Sequence, residues 1–302
     1  MALANDQTAD ARAATGVADT GADAMLRPIW LCADDYGISP SVNKAIRDLL
    51  VRGRINATSV MVVAPSLDRS EAASLRMLGA GSRRVAIGLH VTLTAPFAPM
   101  SGGFAPVRDG AFPPLQQMLV RGMLRTLDRS KLAVEIATQF KAYATLFGRA
   151  PDFVDGHQHV HLFPRVREAL LDVMKEVSPL AWVRQCGRAV TLRQRTKDRK
   201  AMVLDVLSRK FRRMAMARGI RTNPAFAGTY NFEATPAVDF ADLFPQFLRH
   251  LPPQSVVMCH PGFVDAELQR LDPLTALRER EYAYFSGDAF PEVLRAHGVT
   301  LA

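Results

Sequence analysis

The chain has 302 residues, of which 48% are apolar, so it can build a large core and is not disordered throughout. Its three cysteines are far apart and form no Cys-x-x-Cys pair, which argues against a disulfide framework or a cysteine zinc site and favours a reduced, cytoplasmic setting. No run of about 18 apolar residues occurs, so no integral membrane span is expected.

The first 27 residues differ in composition from the rest of the chain. Residues 1–27 are rich in Ala, Asp, Thr and Gly, and they lack the apolar stretch of a secretory signal. We therefore expect a disordered N-terminal tail, followed by one domain over residues 28–302.

Within that domain, short apolar runs alternate with longer segments of helical periodicity. The runs predicted to be strands are 28–33, 59–63, 85–89, 153–154, 180–183, 255–259 and 299–301. The segments predicted to be helices are 39–52, 130–147, 164–176, 197–218, 239–251 and 286–297. About seven strands alternating with helices predict an α/β fold with parallel strands, either a barrel or a doubly wound sheet.

One stretch interrupts this alternation. Residues 95–127 contain no clear strand and hold several Gly and Pro residues. We interpret them as an insertion, which would suit a lid or the contact surface of a homodimer.

The net charge of +9 is concentrated in one part of the chain. Between Arg184 and Arg221 there are 13 Arg or Lys residues against two acidic ones. The simplest interpretation of this basic helical segment, residues 190–222, is a solvated helix face; a surface that meets an anionic substrate or a lipid is the alternative. A nucleic-acid partner is not expected, because aromatic residues that would stack on bases are not interleaved with the basic ones.

Five predicted strands end in residues that can bind a metal ion or move a proton. These residues are Asp34 with Asp35, His90, His157, Arg184 and His260. The carboxyl ends of parallel strands share one face of an α/β fold, and active sites lie on that face. The sequence therefore predicts one catalytic centre to which the residues at all five strand ends contribute.

Each of these residues also has a structural interpretation. Asp34 and Asp35 could form a turn with a helix cap, but two adjacent carboxylates after a buried strand repel each other unless a cation is near. His90 alone would be an ordinary core residue, and Arg184 could simply begin the basic run. His260 precedes Pro-Gly on a turn, yet at a strand end it is well placed as a general acid.

The segment from residue 155 to residue 161 is the densest signal. In an extended chain, side chains two residues apart lie on one face, so four groups would converge: Asp155, His157, His159 and His161. One or two of the imidazoles could bind a single ion, and the remaining groups would support the ligands from behind.

Four segments together resemble the YdjC-like carbohydrate deacetylases, also called the ChbG/HpnK family. They are ADDYGISPSVNKAI (33–46), GLHVTLT (88–94), PDFVDGHQHVHLFP (151–164) and VMCHPGFVD (257–265). The resemblance implies a single-domain, TIM-like (β/α) barrel that removes the acetyl group of an N-acetylated sugar with one divalent ion. Tyr36 departs mildly from the family pattern, which usually has Phe at this position.

The resemblance also implies roles for individual residues. Asp35, His90 and His157 would be the metal ligands, Asp34 the general base and His260 the general acid. From its position alone, Arg184 would orient Asp34. The resemblance favours Mg²⁺, whereas imidazole ligands suit Zn²⁺ better.

Two other functions compete with this hypothesis. A barrel metallo-phosphoesterase could bind phosphate with the basic segment. Such enzymes often need a second metal and bridging carboxylates, and Asp155 is the only obvious further carboxylate for this role. A basic RNA- or membrane-binding protein with a structural metal would need a closed, four-ligand site. The acid–base pair Asp34 and His260 counts against that reading. Chito-oligosaccharides, nucleotide-linked sugars and glycolipids are all compatible with the sequence.

Overall fold

The computed structural model describes residues 26–80, 84–189, 199–230 and 239–302. The strands in these ranges are β1 (Arg27–Tyr36), β2 (Ala57–Val60), β3 (Ala86–Val91), β4 (Phe153–Gly156), β5 (Trp182–Val183), β6 (Phe226–Ala227), β7 (Val256–Cys259) and β8 (Val299–Leu301). The helices are α1 (Pro40–Val51), α2 (Arg69–Gly79), α3 (Leu115–Met123), α4 (Arg129–Phe147), α5 (Val166–Val177), α6 (Arg199–Met216), α7 (Phe240–Phe247), α8 (Ala266–Leu271), α9 (Ala276–Ser286) and α10 (Phe290–Ala296).

The strands form one parallel sheet that curls into an irregular half-barrel. Its order is β5-β4-β3-β2-β1-β7-β6, and β8 pairs with the start of β1. A parallel bridge between Val183 and Thr222 connects β5 to the segment before β6. The predicted single-domain (β/α) barrel with about seven parallel strands is thereby confirmed.

Local sequence signals explain the first strand and helix. Strand β1 is apolar and buried over most of its length, as a strand covered on both faces should be. Ser39 then caps α1 by accepting a hydrogen bond from the Val42 N–H, and Pro40 occupies the first helical turn. The carboxyl end of β1 is therefore followed at once by a rigid helix start.

The sequence predicted most of these elements but not all. Strand β6 was not predicted, because two residues are too few to show a hydrophobic periodicity. Helices α2, α3, α8 and α9 were not predicted. Within 95–127, the interpreted insertion, lie α3 and one antiparallel bridge between Arg108 and Ala111.

Parts of three predictions lie outside the described residues: nearly all of the tail at 1–27, the start of the basic segment at 190–198 and the first two residues of the predicted helix 197–218. Among the helices that the structure describes, none is long and apolar enough to cross a membrane.

Candidate metal centre and active site

Both adjacent acids at the end of β1 reach the interior of the barrel. Consecutive side chains of a regular strand point to opposite faces, so neighbouring carboxylates should diverge. Here the β1–β2 register shifts between Ala33 and Tyr36, and Asp35 has a left-handed backbone with φ of 68°. Asp tolerates that conformation better than most residues. The irregularity lies inside β1, where the sequence predicted that the strand had already ended.

Asp35, His90 and His157 form a buried cluster. Asp35 Oδ1 lies 3.3 Å from His90 Nε2 and 2.9 Å from His157 Nδ1. One ligand atom from each of the three residues lies within 4.8 Å of the others. A carboxylate oxygen and two imidazole nitrogens are a donor set that divalent metals use in proteins. These residues fit a single divalent ion.

Arg278, on α9, holds the second oxygen of the same carboxylate. Its Nη2 lies 2.7 Å from Asp35 Oδ2 and 3.1 Å from Asp272 Oδ2. Burial would raise the pKa of Asp35, but Arg278 and His157 together hold it well below its ordinary value. Asp35 is therefore ionised, with Oδ1 turned toward the two histidines. Arg278 was not among the site residues predicted from the sequence.

Asp34 belongs to a neighbouring group centred on Arg184. Arg184 Nη2 lies 3.0 Å from Cys32 Sγ, 2.7 Å from Asp34 Oδ1 and 2.6 Å from Asp155 Oδ2. Cys32, Asp34 and Asp155 are close enough together to resemble a second metal site. The Arg184 guanidinium lies among these three groups. Its positive charge therefore takes the position that a second metal ion would occupy.

The pKa of Asp34 follows from these contacts. Burial alone would raise it, but Arg184, assisted by His90 and His260, lowers the pKa well below the ordinary range. Ser59 donates a further hydrogen bond to Asp34 Oδ1 at 3.1 Å. Asp34 is consequently a fixed, ionised carboxylate beside the histidine cluster.

Asp155 supports His90 from behind. His90 Nδ1 lies 2.6 Å from Asp155 Oδ1 and 3.0 Å from Ser59 Oγ, while Nε2 faces Asp35. Burial lowers the pKa of His90, yet Asp155 and Asp35 outweigh it and raise the pKa to about 10. A carboxylate behind a ligating imidazole fixes the orientation of the ring. An ion at His90 Nε2 would take the place of the proton held there.

The histidines after β4 do not converge as predicted. An extended chain was expected, but residues His157–Leu162 form a 3-10 turn in which Gln158 and His159 have positive φ. The prediction that Asp155, His157, His159 and His161 share one face because the chain is extended was therefore wrong. The tight turn sends His157 to Asp35 and the other two histidines elsewhere.

His159 and His161 contact the segment that leaves β5. His161 Nε2 donates to the Arg184 carbonyl at 2.9 Å, and His159 Nδ1 lies 3.6 Å from Cys186 Sγ. Burial and the charge of Arg184 lower the pKa of His159 to about 3, and burial and His159 also lower the pKa of His161. Both are neutral rings that pack beneath Arg184.

His260 follows β7 on the same face of the barrel. Its backbone N–H donates to Glu281 Oε2, and Tyr230 donates to Glu281 Oε1. The β1–β7 register pairs Ala33 with Cys259, so Asp34 and His260 follow paired positions at the same edge of the sheet. Glu281, buried on α9, was not predicted from the sequence either, because α9 has no apolar stripe.

The fold is shared with a protein of known structure. A protein from Enterococcus faecalis V583, for which cellobiose-phosphate cleavage has been suggested, has a similar structure with a TM-score of 0.69 at 20% identity, covering 92% of this chain and 97% of that one. At this identity the likeness concerns the fold alone.

A model of the YdjC-like protein family matches residues 28–296, so this chain belongs to that family. The chitooligosaccharide deacetylase of Escherichia fergusonii is 25% identical over 249 residues, which cover 82% of this chain and 86% of that protein. The chitooligosaccharide deacetylase of Klebsiella pneumoniae is 25% identical over 262 residues, with coverages of 83% and 92%.

Proposed function

We propose that this protein is a carbohydrate N-deacetylase that uses one divalent ion held by Asp35, His90 and His157. The observation that carries the proposal is the convergence of these three donors, within 4.8 Å, at the carboxyl ends of the barrel strands. The named activity of the relatives from E. fergusonii and K. pneumoniae supports an N-acetylated sugar, such as a chito-oligosaccharide, as the substrate class.

An ion at this place would acidify a water molecule and polarise the acetyl carbonyl. The donor set does not by itself select Mg²⁺, which the resemblance favours, over Zn²⁺, which accepts imidazole more readily. The choice between these two ions is therefore part of the experiment below.

Asp34 and His260 have the chemistry of an acid–base pair. Asp34 is ionised at neutral pH and can accept a proton from the attacking water. Because Arg184 lowers its pKa, Asp34 is a weaker base than a free carboxylate, and the ion pair contributes mainly orientation. His260 would give a proton to the departing sugar nitrogen, since an amine anion does not leave.

The contacts of Arg184 argue against the phosphoesterase alternative. Two-metal phosphoesterases hold their ions about 3.5–4 Å apart with bridging carboxylates. In this chain the carboxylates beside the histidine cluster, Asp34 and Asp155, are already paired with Arg184. A purely structural metal is also disfavoured, because a closed site needs four protein ligands and the cluster offers three.

The test is acetate release from a panel of N-acetylated sugars, including N,N′-diacetylchitobiose, by metal-stripped protein with Mg²⁺, Mn²⁺ or Zn²⁺ restored. Phosphate release from p-nitrophenyl phosphate is followed in parallel. We expect metal-dependent acetate release that is lost in Asp34→Asn and retained in Asp152→Asn, which changes a carboxylate at the opposite end of β4. Phosphate release without acetate release would contradict the proposal.

A further inference from the structure

Helix α6 exposes apolar side chains that a solvated helix face would not need. Met202, Val203, Val206 and Met216 are 42%, 49%, 62% and 75% exposed. Met202, Val206 and Met216 follow helical spacing and lie along one side of the helix. The exposed stripe spans roughly 20 Å at about 1.5 Å per residue.

The same side of α6 borders a strongly basic cleft. The cleft has a volume of about 560 Å³ and is lined by five arginines together with Met216, Ile220, Gln185, Thr222 and two glycines. The arginines are Arg188, Arg209, Arg212, Arg213 and Arg221.

Within the described parts of the chain, only one of the five arginines is paired with a carboxylate. Arg188 pairs with Asp205 at 2.8 Å, and Arg221 donates to the Leu180 carbonyl. Neither Arg221 nor the other three forms an ion pair with a carboxylate in the part of the chain that the structure describes. Five guanidinium groups around one cleft repel each other, and an anion would relieve that repulsion.

Helix α6 is tied to the catalytic face of the barrel. Ser208 accepts a hydrogen bond from the Cys186 N–H, and Asp205 accepts one from the Arg188 N–H. Both bonds join the helix to the segment immediately after Arg184, which contacts Asp34. Gln185, Gly187 and Arg188 of this segment also line the cleft, so the cleft borders the segment that follows Arg184.

We propose that this face of α6 docks on a membrane surface that carries anionic phospholipids. The arginine cleft would take lipid phosphates, and the exposed apolar side chains would enter the boundary between headgroups and acyl chains, as in interfacial helices. Charge complementarity favours this partner over a second copy of the chain, because two such faces would bring unpaired arginines together. RNA is disfavoured because no aromatic side chain lines the cleft.

The test is cosedimentation of the full chain with lipid vesicles at low and high salt. One set contains phosphatidylcholine alone, and the other contains two parts phosphatidylcholine to one part phosphatidylglycerol. We expect binding only to the second set, and weaker binding at high salt. Each basic side chain near an anionic surface contributes about a fivefold change in affinity, so Arg209→Gln with Arg213→Gln should weaken binding by more than about tenfold.

Two further variants separate the contributions of charge and apolar contact. Val206→Ser should weaken vesicle binding while leaving its salt dependence unchanged. The matched control is Arg69→Gln with Arg76→Gln, which removes two exposed charges from α2 and should leave binding intact. Circular dichroism melting establishes that each variant is folded.

Three results would overturn the inference. They are no binding to the anionic vesicles, an equal loss in the α2 control, or preferential binding of an RNA oligomer or of free pyrophosphate through the same arginines. The experiment measures binding alone, so its outcome is independent of whether the protein is a deacetylase.

Discussion

Arg184 places both of its terminal nitrogens on the carboxylate of Asp34, at 2.6 and 2.7 Å, across the interior of the barrel. The two residues are 150 positions apart: Asp34 lies on β1, and Arg184 directly follows β5, which is not a neighbour of β1 in the sheet. Arg184 and Asp34 are both buried. A bidentate pair of this kind fixes the orientation of the carboxylate as well as its charge.

Replacing Arg184 with Lys should impair catalysis more than folding. Lysine keeps the charge but cannot form the two parallel hydrogen bonds, so Asp34 loses its fixed orientation. We expect acetate release to fall roughly 10–100-fold. The free energy of unfolding should fall by about 1.5–3 kcal/mol, the typical contribution of one charge-assisted hydrogen bond. Steady-state kinetics and chemical denaturation measure the two effects.

A second bidentate pair supplies the control. Arg149 binds both oxygens of Asp152 at 2.8 and 2.9 Å, but this pair is partly exposed at the other end of β4. Arg149→Lys should cost at most about 1 kcal/mol and leave acetate release unchanged. Equal effects of the two substitutions on kcat would show that Arg184 has no special role.

Asp155→Asn should weaken metal binding without removing a ligand. Asp155 holds His90 Nδ1 at 2.6 Å, and loss of such a supporting carboxylate lowers metal affinity roughly 10–100-fold. Competition with a chromogenic chelator measures the affinity directly. Asp152→Asn, three residues earlier and just before β4, should bind metal as the unaltered protein does. An unchanged affinity in Asp155→Asn would mean that Asp155 does not support His90 as a metal ligand.

Gly88 is required by packing beneath the site. A Cβ at this position would lie 2.5 Å from ring atoms of Phe153, a fully buried side chain. Gly88→Ala should therefore lower the free energy of unfolding by about 1–3 kcal/mol, as overpacking does. At Gly102 a Cβ would meet nothing within 4 Å, so Gly102→Ala should change stability by less than about 0.5 kcal/mol. Urea denaturation of the two variants tests the difference.

Glu281 should make stability depend on pH. Burial raises its pKa, and the opposing contributions of His260 and Tyr230 do not cancel that effect. The folded state thus binds more protons than the unfolded chain above the ordinary value of 4.5. The contribution is fully present below that pH and is lost as pH rises through the folded pKa.

Glu281→Gln removes this titration. As pH rises from 4.5 through the folded pKa of Glu281, the unaltered protein should therefore lose free energy of unfolding relative to the Glu281→Gln variant. Thermal melts across the range measure the trend. Glu279→Gln, at an exposed position of α9, should leave the profile unchanged. A constant difference between Glu281→Gln and the unaltered protein at every pH would refute the assignment.

The sequence allowed the barrel to be predicted because its parallel strands are buried, short and bounded by turn residues. It also indicated which residues end those strands, so Asp34, His90 and Arg184 could be proposed together. The turn after β4 was misread, because positive φ at Gln158 and His159 depends on packing and has no periodic signature.

Arg278 and Glu281 could not be identified for a related reason. Both lie on α9, whose charged sequence is typical of a solvated helix, and yet both are buried. Their burial depends on Asp35 and His260, which are distant in sequence. Pairing between remote charged groups leaves no local pattern.

The most direct test of the account is metal stoichiometry measured beside acetate release in Asp34→Asn and Asp35→Asn. The two adjacent carboxylates, although chemically identical, are expected to have different roles. We expect Asp34→Asn to bind one equivalent of metal and release no acetate, whereas Asp35→Asn should lose both metal and activity. Loss of metal in both variants, or acetate release by Asp34→Asn, would contradict the assignment.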